Sequence, residues 1–108
     1  HGTSAALEFA VCNLRVSNII VFGHSQCGGI ASLFNDDNNI NNSCSFIHKW
    51  MELAMPAKEQ VQNLFPNLMI NQKVELCSKQ SIRNSLNNLI SFPWIEDRVN
   101  KQNLFIHG

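Results

Sequence analysis

The sequence predicts an α/β fold, a mainly parallel sheet flanked by helices. Two short, wholly apolar runs, Ile19-Ile20-Val21-Phe22 and Leu104-Phe105-Ile106, have the length and composition of sheet strands, and helix-forming segments lie before and between them. The order helix, strand, helices, strand requires crossover connections and at least one covered sheet face. With 108 residues, 44% hydrophobic, the chain has the size and apolar content of one soluble globular domain. Two short strands cannot make an independent parallel sheet, so residues 1–108 are expected to form a single partial domain.

The first helix is expected from Thr3 to Leu14. Ala5, Ala6, Leu7, Glu8 and Ala10 are strong helix formers, Thr3 or Ser4 is available as an N-cap, and Glu8 lies near the positive end of the helix dipole. Apolar residues fall nearly all round this helix, which predicts cover on more than one side. Ser17-Asn18 breaks the pattern. Ile19–Phe22 then reads as a strand buried on both faces, ended by Gly23. A second helix can run from Gly28 to Phe34, followed by the polar, turn-prone stretch Asn35-Asp36-Asp37-Asn38-Asn39 with Asn41-Asn42, expected as a surface loop. Ser43 or Ser45 could cap a third helix. Its residues Phe46, Ile47, Trp50, Met51 and Leu53 share one apolar face, and Pro56 should stop or kink it; helix resumes to about Leu64. From Val74 to Ile90 a helical period returns until the Phe92-Pro93 junction, where the residue before proline disfavours helix. The second strand closes the pattern.

Eight basic residues balance eight acidic ones, which leaves no electrostatic footprint for nucleic acid, and the apolar runs fall far short of the roughly 18 to 20 residues a membrane span needs. The opening His1-Gly2-Thr3-Ser4 lacks the features of a signal peptide, so a cytoplasmic location is expected. Cys12, Cys27, Cys44 and Cys77 lie far apart in a chain with enough aliphatic residues for a core, which argues against a disulfide scaffold. Only Cys27 has a chemical context.

That context is Gly23-His24-Ser25-Gln26-Cys27-Gly28-Gly29, placed after a strand and before a helix, where open α/β sheets put their ligand sites. His24 and Cys27 are three residues apart in a tight turn, so an imidazole nitrogen and a thiolate can converge on one zinc ion. Gly28 and Gly29 let the backbone pass close to a bound group, and the helix that follows aims its first amides at the site. A glycine-rich turn with a chance histidine and a buried cysteine has the same spacing. The segment also resembles the nucleophile elbow Gly-x-Ser-x-Gly of α/β-hydrolases, with Ser25 as nucleophile. Cys27 in place of the second glycine argues against this, as does the lack of a later acid and histidine in suitable order: only His48 and His107 follow.

Taken together, Gly2-Thr3-Ser4-Ala5-Ala6-Leu7-Glu8-Phe9-Ala10-Val11, Ile19–Ile30, Phe46-Ile47-His48-Lys49-Trp50 with Pro56-Ala57-Lys58, Ser81–Leu89 with Phe92-Pro93-Trp94-Ile95, and Leu104–Gly108 resemble the β-class carbonic anhydrases, most closely the plant-like branch. The resemblance spans essentially the whole chain. It implies a zinc enzyme that reversibly hydrates carbon dioxide to bicarbonate through zinc-bound hydroxide, assembled as dimers or higher homo-oligomers. It places two zinc ligands on His24 and Cys27 and gives the Gly28 backbone amide a hydrogen bond to the substrate oxygen, where a larger residue would crowd the metal pocket. The family's third ligand belongs to a Cys-x-Asp-Ser-Arg motif, which does not occur here; the catalytic Asp and Arg of that motif are therefore missing too. Phe9 falls where many relatives carry Tyr and is expected to be a core aromatic, while His48 and Trp50 are expected to be packing or surface residues. The implied reading is a central part of an anhydrase subunit, inactive alone; the alternative is a non-catalytic scaffold or interaction protein.

Overall fold

The computed structural model describes residues 1–35 and 45–108. Its elements are α1 (Gly2–Glu8), a π-helical turn (Phe9–Asn13), β1 (Asn18–Ile20), α2 (Gly28–Ser32), α3 (Ser45–Met51), a 3₁₀ turn (Glu52–Ala54), α4 (Met55–Leu64), α5 (Ile70–Ile90), α6 (Pro93–Asn100) and β2 (Phe105–His107). The expected α/β class holds: β1 and β2 pair in parallel, Asn18 opposite Phe105, Ile19 opposite Ile106 and Ile20 opposite His107. Bonds from Val21 N to the His107 carbonyl and from Phe105 N to the Ser17 carbonyl, 2.7 and 2.9 Å, extend the ladder at both ends. The Asn-rich stretch and Ser43 lie largely outside the described residues.

The chain forms two compact units, one of residues 1–22 and 83–108, the other of residues 23–82; the division falls inside α5. In the first, Val11, Leu89, Ile95 and Leu104 are the buried core, with Ile19, Val21, Leu86 and Ile106 packed against it. Burying each such side chain contributes about 1.5–3 kcal/mol. Arg98 of α6 ties this unit together, its guanidinium donating to the Val11 and Asn103 carbonyls at 2.9 and 2.8 Å. In the second unit Ile30, Phe34, Met51, Ala54, Ala57, Val61, Val74 and Cys77 form the core.

Several local expectations are corrected. The first helix starts at Gly2 with no side-chain cap from Thr3 or Ser4, and Glu8 is the last residue of α1. From Phe9 the backbone widens into π turns, which shifts the phase of the side chains. Val11 thereby turns fully inward while Phe9 is 55% exposed, so Phe9 is no core aromatic and the helix is covered on one side only. β1 is not buried on both faces. Ile19 and Val21 point to the core, whereas Ile20 and Phe22, 67% and 91% exposed, alternate outward onto a face that no described residue covers. Likewise only Met51 of the α3 face is buried; Phe46, Ile47, Trp50 and Leu53 are exposed. Pro56 does not break a helix. It opens α4 near the N-terminus, where its missing N–H has no intrahelical acceptor to lose. Pro93 does the same for α6, a helix the reading by period did not anticipate, with Phe92 extended before it as a pre-proline residue must be. Among the described residues no helix is long and apolar enough to cross a membrane.

Candidate metal centre

His24, Ser25, Gln26, Cys27 and Gly28 lie together in the connection that leads into α2. Cys27 is the residue before the helix, extended at φ −68° and ψ 114°, and its side chain makes no capping bond to the helix. It is partly buried and packs against the core of residues 23–82. His24 is exposed, with its ring Nδ1 2.9 Å from the Ser25 carbonyl oxygen. A carbonyl only accepts, so Nδ1 carries the proton, and the lone pair of a neutral imidazole then resides on Nε2. This is the arrangement of a histidine prepared to ligate through Nε2 while its other nitrogen is held by a backbone acceptor. Between the two side chains Gln26 sits in the left-handed region, φ 52°, a conformation that costs a non-glycine residue about 1 kcal/mol or more.

The glycines divide into two kinds. A Cβ added to Gly28 would meet no atom within 4 Å, so the approach to its amide is open, and no described residue of this chain would crowd it. Gly23 and Gly29 are filled from neighbouring helices instead. A Cβ on Gly23 would stand 2.6 Å from Ile82 Cδ1, and one on Gly29 would stand 2.7 Å from Met51 Sδ. The close approach at Gly29 is thus by a methionine, not by a bound group. Sequence reasoning missed Ile82 and Met51, because spacing along the chain shows that a glycine is present but not which distant side chain fills its gap.

The donor set fits zinc in kind. A thiol and an imidazole are its preferred ligands, but a catalytic zinc site has three protein ligands, and among the described residues no three His, Cys, Asp or Glu side chains gather. Two donors from one turn make part of such a site. Cys12 is exposed and Cys77 buried, both as free thiols. His48 pairs with Glu52 on the exposed side of α3 at 3.2 Å, in keeping with its expected surface role.

A protein family described as carbonic anhydrase matches residues 1–108. Among curated proteins the chain is similar to beta carbonic anhydrase 5, chloroplastic, of Arabidopsis thaliana, 43% identical over 106 residues that make up 98% of this chain and 35% of that protein. It is similar as well to beta carbonic anhydrase 6, mitochondrial, of the same plant, at 42% identity over 98% of this chain and 37% of that protein. Beta carbonic anhydrase 3 of that plant is 38% identical, over 96% of this chain and 41% of the relative. The chain therefore spans well under half the length of these relatives. Among solved structures, the β-carbonic anhydrase CcaA superposes with a TM-score of 0.88 at 28% identity, over 100% of this chain and 52% of that one.

Proposed function

Because the chain belongs to the β-class carbonic anhydrase family, we propose that it serves the reversible hydration of carbon dioxide to bicarbonate, with His24 and Cys27 holding one zinc ion together with a third donor that is not gathered with them among the described residues. The observation that carries this reading is the His24 ring, whose Nδ1 is engaged by the Ser25 carbonyl and so leaves the lone pair on Nε2, in the same connection that carries Cys27 three residues on in sequence. When bound, the cation would supply Lewis acidity that lowers the pKa of water towards neutrality and so makes it a nucleophile near neutral pH.

The chain's own residues do the rest of what is assigned to this segment. The Ser25 carbonyl keeps the His24 proton on Nδ1 and restrains the ring. Cys27 would hold the ion through its sulfur. The Gly28 amide, which as the first of α2 has no intrahelical acceptor, donates to a substrate oxygen over the open face that the missing side chain leaves. The exposed apolar side chains of α3 are in keeping with a homo-oligomer.

The test is zinc affinity, by chelator competition, beside carbon dioxide hydration by the intact protein. Cys27→Ser and His24→Ala are each expected to lower affinity by more than the ~10–100-fold that loss of a mere supporting group costs, and to bring hydration to background. Residues 1–108 alone are expected to show no hydration above background. Unchanged zinc affinity in Cys27→Ser would refute the ligand assignment; an intact protein that neither binds zinc nor hydrates carbon dioxide would be a non-catalytic scaffold.

A further inference from the structure

We infer that Met51 is a positioning residue for Cys27, acting through the empty side-chain position of Gly29; the inference rests on the reading of Cys27 as a ligand. A Cβ at Gly29 would stand 2.7 Å from Met51 Sδ, 3.2 Å from Met51 Cε and 3.8 Å from Cys27 Sγ. Thioether and thiol therefore pack around a single point, which glycine alone leaves vacant. Met51 is the last residue of α3 and is buried in the core that Cys27 also touches. The backbone of Cys27 is fixed by the start of α2, so the freedom left to Sγ is rotation about χ1 among three staggered wells. Atoms closing on the Gly29 side determine which of those wells are open.

The other end of the turn is built alike. Ile82 fills the gap at Gly23, with Cδ1 2.6 Å from where its Cβ would be. Between these two contacts Gln26 keeps a left-handed backbone, which persists only where the surroundings over-determine it. Methionine suits the Gly29 end, since its unbranched, polarizable side chain fills an irregular gap beside backbone.

The experiment is peptide-resolved alkylation by iodoacetamide of the intact, metal-free protein, with Cys77 as a built-in reporter of unfolding and exposed Cys12 as a reference for the reagent. In Met51→Ala the Cys27 rate is expected to rise about threefold or more while Cys77 stays protected, and in Met51→Leu, which nearly conserves volume, to stay at the unsubstituted rate. Gly29→Ala should raise the Cys27 rate as well. In the double variant Gly29→Ala/Met51→Ala the two effects should fail to add, because the new methyl no longer meets the sulfur. Zinc affinity should fall about 10-fold or more in Met51→Ala and recover in Met51→Leu. A Cys27 rate in Met51→Ala equal to the unsubstituted one, or strictly additive effects in the double variant, would overturn the inference. Should Met51→Ala open the core and label Cys77, Gly29→Ala decides on the same two rates. Unchanged zinc affinity in Cys27→Ser refutes the ligand reading alone, because the alkylation rates need no metal.

Discussion

Cys77 has no exposed surface, and it lies on α5 among Val74, Ala57 and Val61. Burial pushes its thiol above the ordinary value of 9.0, because the thiolate would be desolvated, and the positive charge of Lys58 pulls the other way more weakly. The raised value favours the protonated fold. Its contribution to stability is therefore fully present below the unfolded thiol's pKa and is lost as the pH climbs from about 9 through the raised folded value, where the unfolded chain gives up the proton more readily. Urea midpoints measured between about pH 8 and 10.5 should decline, and Cys77→Ala should flatten part of that slope while lowering stability at every pH by leaving a small cavity. An undiminished slope in Cys77→Ala would assign the alkaline loss to other groups. Cys27, three residues after His24, was legible as the chemically interesting cysteine from its neighbours along the chain. Cys77 was not, because its environment is assembled by α4 and α5 from segments distant in sequence.

α2 has only five residues, too few to hold itself together, so its persistence depends on the burial of Ile30 in the core and on contacts at its ends. One is the Gly29 gap filled by Met51. The other is Lys58 of α4, whose ammonium donates to the Leu33 carbonyl just past the last turn and lies 5.5 Å from the centre of the Phe34 ring. A cation at a helix C-terminus meets both the free carbonyls and the negative end of the dipole. Lys58→Met is accordingly expected to cost about 1–2 kcal/mol in the unfolding of residues 23–82. Hydrogen exchange at the Leu33 and Phe34 amides, which bond the Ile30 and Ala31 carbonyls, should quicken. Lys58→Arg should keep most of the protection, and equal exchange in Lys58→Met would show that α2 is held by packing alone. The existence of α3 and α5 could be read from periodicity, and both strands from their apolar runs. The π turn at Phe9 and helix α6 could not. The first is a change of pitch with no periodic signature in so short a stretch, and in the second Pro93 reads as a terminator until the residues after it are seen to continue as helix.

At the scale of the molecule, the sequence carries the identity of the apolar residues well and their surroundings poorly. Ile20, Phe22, Phe46, Trp50 and Leu53 have strand or helix spacing that promised a core, yet they are 67%, 91%, 86%, 70% and 79% exposed. Periodicity shows that a face is apolar; what covers it is decided by partners that no local pattern contains. The candidate metal centre is legible only as two possible donors in one turn, His24 and Cys27, because spacing along the chain says nothing of donors brought from elsewhere. For α3 the consequence can be measured. Trp50 and Met51 are adjacent, but Met51 is in the core and Trp50 is not. Trp50→Glu, alone or with Phe46→Glu, should leave the unfolding free energy of residues 23–82 within about 0.5 kcal/mol, as for other surface substitutions. Met51→Ala should cost about 2–5 kcal/mol through the lost packing. Sedimentation equilibrium should then separate the exposed pair from the core by a different property, because placing a carboxylate on an apolar contact surface weakens association without touching the fold. If the Trp50→Glu protein is as associated as the unsubstituted one at equal concentration, α3 is not the surface through which copies meet. If it unfolds, Trp50 is part of the packed interior after all.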